Sequence, residues 1–515
     1  MPPASDAVRR YHDGSKHHFN RFARSIGYLD WASQPRPFRR FAGAPTYALH
    51  PRPDAPAWAR EVGDLLRHSL GLSAWKRFRD ARWSLRVNPS SGNLHPTEAY
   101  VVASLAGTPG VFHYAPEQHE LELRCGFDAG AWQAAADRDA VLIVLTSVHW
   151  REAWKYGERA FRYCQHDLGH AIGALSYAAR IAGYNATLVP SWSQSRIGAL
   201  AGLDRDDDFA EAEREEPGCL IALTRGPVPT AIVEADDRLS EAIVTGQWHG
   251  QASQLSEDHV QWTFIDEVAD ATRDPGRDPG RAAFALRASA SRHSVLSRDL
   301  VLQRRSAVAF DGESATTRET FLRLLAAAMP SDAPPFDALW WTPRIHLALF
   351  VHRVTDVEPG LYLLIRDAED FERLREAAKR EFVWERSDAG LPLYLLARGD
   401  CRRLACRLSC DQDIAADGFF SLGMIARFET SLDEFGPAFY RHLFWECGAV
   451  GQALYLAAEA AGARATGIGC FYDDPVHEVL GLGGHAFQSL YHFTIGIPVE
   501  DSRLTSEPGY PWERG

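Results

Sequence analysis

No stretch of the chain approaches the run of ~18 apolar residues that a membrane-spanning helix requires, so no membrane association is expected. The opening "MPPASDAVRRYHDGSKHHFNRF" has no apolar core of the kind a secretion signal carries, which points to a cytoplasmic protein. Positive charge is not in excess: 55 Lys and Arg stand against 68 Asp and Glu, a net charge of -13. That balance excludes coating of nucleic acid, which needs a concentrated positive field, and leaves room only for a local basic pocket. Cysteine is sparse and scattered. The eight residues fit reduced thiols rather than a disulfide framework, and the one cluster, Cys401, Cys406 and Cys410, lacks a fourth ligand. No metal site is therefore expected.

What is present is an ordinary globular composition, 46% hydrophobic and 24% charged, over 515 residues. That length exceeds one usual core and predicts two domains. A repeat supports the division. "KYGERAFRYCQHDLGHAIGALSYAARIAGYNAT" (155–187) aligns without gaps on "EFGPAFYRHLFWECGAVGQALYLAAEAAGARAT" (434–466). Gly157 falls on Gly436, Arg162 on Arg441, Gly169 on Gly448, Gly183 on Gly462 and Thr187 on Thr466. "TPGVFHY" (108–114) and "EPGLYLL" (358–364) form a second matching pair. The chain reads as a tandem duplication, with an N-terminal half at 1–271, a linker at 272–281 ("TRDPGRDPGR", a Pro/Gly/charge run with no hydrophobic period) and a C-terminal half at 282–515.

The repeated unit has the i, i+3, i+4, i+7 rhythm of a helix with a buried stripe, ended by a glycine cap at Gly183 and Gly462. Its Ala and Gly content lets two such helices approach closely. Strand-like segments flank each copy: "AYVVAS" and "AVLIVLTSV" in the first half, "IHLALFVHRV" and "SLYHFTIGIP" in the second. The predicted class is α+β, two like halves clasped as an intramolecular pseudo-dimer around long central helices.

Four stretches carry potential chemistry. "PSSGN" (Pro89, Ser90, Ser91, Gly92, Asn93) crowds two hydroxyls and an amide into one turn ahead of a strand. "QRRS" places Arg304, Arg305 and Ser306 together, a reasonable clamp for a phosphate monoester, ahead of a helix with Thr316 and Glu319 at capping-box spacing. "GIG" (Gly467, Ile468, Gly469) is a turn whose backbone N–H groups can approach a ligand. Lys155 and Tyr156 precede the first repeated helix, whereas the second copy has Glu434 and Phe435 there. A desolvated Lys can serve as a base and a Tyr can relay a proton. The charged insertions 205–217 and 246–262 are candidates to line an access channel.

"PSSGNLHPTEAYVV", "PGVFHY", "KYGERAFRY" and "QRRSAVAF" resemble the flavin-dependent nitroreductase superfamily, more narrowly its SagB/ThcOx-type dehydrogenase branch. The resemblance implies an FMN site at a dimer interface. The clamp Arg304, Arg305, Ser306 and the turn Gly467, Ile468, Gly469 would come from one half. Pro89, Ser90, Ser91, Gly92, Asn93 and the pair Lys155, Tyr156 would come from the other. The opposite site looks degraded: its clamp would read Arg39-Arg40-Phe41, its loop Met329–Pro335, and its turn Leu188-Val189-Pro190, where proline has no N–H. One FMN per chain is expected. The phosphate contacts usual after the last strand have no clear counterpart, with Arg503 the available substitute.

The branch implies oxidation of an azoline-like ring in a modified peptide or related small molecule, with Lys155 or Tyr156 as base and O2 or another acceptor reoxidising the flavin. An NAD(P)H-dependent nitro or quinone reductase and a non-catalytic flavin- or peptide-binding scaffold are the alternatives. Because the fusion supplies both halves, the chain can act as a monomer.

Overall fold

Two helices of 22 residues each, Ala160–Ile181 and Phe439–Ala460, lie against one another at the centre of the computed structural model. The structure describes residues 4–51, 54–136, 140–277 and 297–513. Their contact is set by Gly169 and Gly448, the residues the repeat places in register. A Cβ at Gly169 would stand 2.4 Å from Trp445 O, and one at Gly448 would stand 2.4 Å from His166 O. Backbone meets backbone there, and only hydrogen fits. Each helix ends as its sequence predicts, on a left-handed glycine: φ is 80° at Gly183 and 73° at Gly462. The next residue closes the turn, with Tyr184 N donating to Ala179 O and Ala463 N to Ala458 O.

The expected single apolar stripe understates these helices. Residues 160–179 are buried on every face, because a sheet covers one side and the partner helix and second half cover the other. The polar positions face the seam instead of water.

Both sheets are antiparallel and have the same spatial order. The first runs Gln247–Trp248, Glu120–Gly126, Thr108–Ala115, Thr97–Leu105, Val141–Ser147, Glu216–Thr224, Asn185–Leu188, with Thr46–Ala48 also paired to Glu120–Gly126. The second runs Glu385–Arg386, Leu393–Arg398, Gly360–Leu364, Ile345–Val351, Phe420–Arg427, Phe487–Gly496, Arg464–Ile468. All four strand-like segments read from the sequence overlap these strands, and three of them run one to three residues past a strand end. One continuous core crosses the seam, joining Ile143, Leu145, Leu168 and Ile172 to Leu347, Leu349, Leu443 and Val450. Separate apolar layers cover the outer face of each sheet. At ~1.5–3 kcal/mol for each large aliphatic side chain buried, the shared core makes the two halves one cooperative body.

The halves also exchange their ends. Helix Ala4–Gly14 packs on helix Thr263–Ala271 of the first half, Tyr11 meeting Phe264 at 5.0 Å, and reaches across to the second, with His12 Nε2 2.9 Å from Gln488 Oε1. Strand Thr505–Pro508 leaves the second half and pairs antiparallel with Leu72–Phe78, which in turn pairs with Ala81–Arg86. Of the predicted linker, Thr272–Arg277 is packed between the halves: Arg441 Nε donates to Thr272 Oγ1 (2.8 Å), and Arg277 donates to Pro190 O through its backbone and to Phe435 O through its side chain. Residues 278–281 lie outside the described residues. The expected capping box shifts by one position, since Thr317, not Thr316, caps helix Arg318–Ala327 by accepting from Thr320 N. Thr316 pairs with Val354 in a short parallel bridge.

Buried charges lock the seam in pseudo-twofold fashion. Arg162, on the first long helix, reaches Asp473 Oδ1 of the second half at 2.7 Å, and Arg159 reaches Asp473 Oδ2 at 2.9 Å. The two guanidiniums hold the Asp473 carboxyl far below its usual range against the opposing effect of burial. Arg441, the sequence counterpart of Arg162, reaches Glu216 Oε1 of the first half at 2.9 Å.

Candidate functional site

A cleft of about 500 Å³ opens between the halves. Strand Ala81–Arg86 and the turn after it form one wall; the strand Arg464–Ile468, the Arg304–Ser306 segment and the chain after strand Phe487–Gly496 form the other. The loop residues Pro89, Ser90, Ser91, Gly92 and Asn93 line it, as do Arg304, Arg305, Ser306, Gly467, Ile468 and Gly469. Residues more than 200 positions apart in sequence thus share one cavity.

The clamp is uneven. Arg304 is 3% exposed, donates from Nη2 to Arg86 O at 3.2 Å, and lies over the Tyr455 ring at 4.9 Å. Its Nε and Nη1 have no hydrogen-bond partner among the described residues. Burial lowers its pKa, so its cationic form is disfavoured without an anion. Two unpaired donors on a buried guanidinium fit a phosphate oxygen. Arg305 differs: its guanidinium donates to the carbonyls of Leu302, Arg304 and Ser73, and burial lowers its pKa to about 10. Arg305 therefore ties off the end of helix Arg298–Gln303 and leaves less for a ligand. Ser306 Oγ lies 2.9 Å from Tyr455 Oη, which accepts from Gly467 N at 3.1 Å. One phenol thereby fixes the clamp to the Gly-Ile-Gly turn.

That turn is shaped by close approach. A Cβ at Gly467 would overlap Tyr491 Oη, and one at Gly469 would stand 2.2 Å from Tyr163 Cε1. Opposite, the Pro-Ser-Ser-Gly-Asn loop uses much of its polar capacity to hold its own shape. Ser91 donates to Asp167 through N (3.0 Å) and Oγ (3.1 Å), Ser90 Oγ accepts from His95 N (2.8 Å), and Asn93 Nδ2 donates to Ser84 O (3.0 Å). Asp167 is buried, which raises its pKa to about 7 despite these hydrogen bonds. The desolvation outweighs the donors because no cation among the described residues faces the carboxyl.

Tyr156 lines the cleft, and its Oη would stand 2.5 Å from a Cβ on Gly92. Burial, then Glu152, pushes its pKa well up, so its hydroxyl is a donor at neutral pH. Lys155 is not among the cleft-lining residues; its Nζ sits 5.2 Å from the centroid of the Tyr156 ring.

Several cleft residues escaped the sequence reading. Asp167 and His170 are three apart on one helix face and share the cleft with Tyr163. Arg464 alternates with Thr466 on its strand, which sends both to one side. Asn88 adjoins the predicted loop and leaves Oδ1 unpartnered. Lys76 comes from the strand paired with the exchanged C-terminal segment, and no local signal marks it. Lys76 and Arg464 line the cleft, Arg464 paired with Glu500, whereas Arg503, the available substitute, does not. Arg503 is largely exposed and held by Asp501 at 2.7 Å. The insertions 205–217 and 246–262 bind each other, Glu213 accepting from Leu255 N and Ser256 N, and contribute nothing to the cleft lining. Among the described residues no group of three or more His, Cys, Asp or Glu could hold a metal ion.

The pseudo-symmetric position is closed. Around Leu188, Val189 and Pro190 only about 30 Å³ remains, lined by Trp340, His442, Trp445 and Asp274. The expected counterpart clamp does not form there. Arg39 is buried and donates to Glu213 O and Ser253 O with Glu215 beside it, Arg40 binds Glu122 and Glu120, and Phe41 pairs with Ala252 in a strand.

The fold is that of the nitroreductases, in both halves. A crystal structure of a "putative nitroreductase" from Anabaena variabilis is similar over 96% of this chain and 99% of its own, with a TM-score of 0.72 and 22% identity. Residues 301–497 match the Nitroreductase family model. A "putative nitroreductase" of Methanocaldococcus jannaschii is 25% identical over 152 residues, 28% of this chain and 73% of that protein.

Proposed function

We propose that the protein is an FMN-dependent oxidoreductase with one flavin per chain, bound in the cleft between the halves. The observation that carries the reading is Arg304: a guanidinium 3% exposed, with two donors unpaired, on a cavity wall facing the loop Pro89–Asn93. Arg304 and Ser306 would hold the phosphate, with Lys76 and Arg464 adding charge. The Gly467–Gly469 turn and the Ser90–Gly92 loop would bound the ring system from the two sides. Closure of the pseudo-symmetric position supports a single site, and the matching order of the two sheets supports an origin by tandem duplication. Flavin, when bound, supplies hydride acceptance at N5.

The finer assignment is a SagB/ThcOx-type dehydrogenase acting on an azoline-like ring of a modified peptide or related intermediate. Its support is the set of sequence motifs together with the asymmetry at Lys155-Tyr156. Tyr156, held protonated by burial, would position the ring or relay a proton. Lys155, outside the cleft lining with its Nζ 5.2 Å from the Tyr156 ring centroid, would receive through Tyr156 the acidic proton next to the ring carbonyl, and O2 would serve as final acceptor. Anaerobic mixing of flavin-loaded protein with an azoline-containing peptide should bleach the flavin absorbance. Lys155→Ala should keep the yellow colour and slow that bleaching by about 10²-fold or more, the size of a general-base contribution. Bleaching by NADPH alone, with none from the peptide, would replace this assignment with a reductase.

A further inference from the structure

One cluster on the cleft wall has no part in the reading above. Cys470 follows Gly469 directly and lines the cleft, and its Sγ lies 2.8 Å from Sγ of Cys410, sixty residues earlier. Both thiols are partly exposed. The approach is built into the backbone. Cys410 and the next residue, Asp411, both have positive φ, 54° and 57°, a conformation that side-chain-bearing residues seldom adopt in succession. Gln412 Nε2 bridges the two segments, donating to Ser409 O (2.7 Å) and Cys470 O (3.0 Å), and Tyr472 N donates to Leu408 O (2.8 Å).

The surroundings distinguish the two sulfurs. His17 is buried and accepts from Ala23 N at Nδ1, which leaves its other ring N–H to donate to Cys470. Arg159 donates to Gly469 O at 3.1 Å, next to the same sulfur. The Cys410 contact first, and His17 after it, lowers the Cys470 thiol against the opposing effect of burial, while Cys410 is pushed up. Burial raises the other interior thiols, Cys125, Cys164, Cys219 and Cys447. A thiolate beside a protonated thiol, in reach of solvent through a cleft, is the arrangement of an attacking and a resolving cysteine.

We propose that Cys410 and Cys470 form a redox-active dithiol that exchanges with low-molecular-weight disulfides entering the cleft. The Cys470 thiolate attacks one sulfur of the disulfide RS–SR, forming a mixed disulfide and releasing RS⁻. Cys410 then gives up its proton, its sulfur attacks Cys470 Sγ, and the second RS⁻ leaves. The two cysteines lose two electrons to one disulfide, whose halves depart as thiols carrying one proton from Cys410 and one from solvent. Moving the sulfurs from 2.8 Å to the ~2.05 Å of a bond needs a displacement of under ~1 Å. The exchange shares the cleft of the proposed flavin but none of the residues assigned to hold it, so its test needs no flavin.

The test uses the full chain and oxidised glutathione. After incubation, remaining thiols are alkylated and peptides are mapped by mass spectrometry. The expected product is a Cys410–Cys470 cross-link reversed by dithiothreitol, a persistent glutathione adduct on Cys470 in Cys410→Ser, and an unmodified Cys410 in Cys470→Ser. On the untouched chain, iodoacetamide should label Cys470 at least ~10-fold faster than Cys406 at neutral pH. Equal labelling rates, or oxidation with no 410–470 bond, would overturn the proposal whether or not flavin is bound.

Discussion

Replacing Arg304 by Met removes the charge and keeps most of the volume. In the native site Nε and Nη1 lack partners among the described residues while Nη2 is held by Arg86 O. Two charge-assisted hydrogen bonds to a phosphate, at ~1.5 kcal/mol each, amount to ~3 kcal/mol, or roughly 150-fold in affinity. Riboflavin has the same ring system and no phosphate, so its affinity should change little. The readout is the ratio of FMN to riboflavin dissociation constants, measured by quenching of flavin fluorescence. It should fall by about two orders of magnitude in Arg304→Met. Without flavin the same substitution should raise stability, because it removes a buried cation that lacks an anion. A variant that still discriminates FMN from riboflavin as the native chain does would refute the assignment of Arg304 to the phosphate.

Gly448→Ala puts a methyl group 2.4 Å from His166 O and 2.6 Å from His170 N. Because these are backbone atoms, the helices must separate, at a cost at the upper end of the ~1–3 kcal/mol of an overpacked core. Urea denaturation should show that loss together with weaker flavin binding; an unchanged midpoint would contradict the helix contact. Asp167 has its pKa raised from 3.8 to about 7, so the folded chain retains a proton there that the unfolded chain releases. Stability should therefore fall as pH rises from about 4 to about 7, by on the order of 4 kcal/mol, and Asp167→Asn should lack that decline. Parallel pH profiles for the two proteins would remove Asp167 as the cause.

The fold was legible where local pattern and global packing agree. The glycine caps at Gly183 and Gly462, the strands around Val144 and Leu347, and the register of Gly169 on Gly448 all follow from short-range rules applied twice. The site was legible in outline, since the loop at Ser90–Gly92, the clamp at Arg304 and the turn at Gly467 each announce themselves in a few residues. What stayed hidden depends on long-range placement. The exchange of the terminal segments brings Lys76 to the cleft, and nothing near Lys76 reports that exchange. Arg39 and Arg40 look like a clamp in sequence, yet Glu215 and Glu122 neutralise them through contacts made on folding. Cys410 was grouped with Cys401 and Cys406 by proximity in the chain, while its actual neighbour, Cys470, lies sixty residues away. Helix 160–181 gave its apolar stripe readily, but its polar face turned out to be the seam, which only a second sheet and helix could reveal.

The central claim is that both halves build one flavin site and that its twin is plugged by Trp340 and Trp445. Native mass spectrometry of the chain after equilibration with excess FMN tests it most directly. The account predicts a single mass increment of one FMN per chain; an unshifted mass, or two increments, would contradict it.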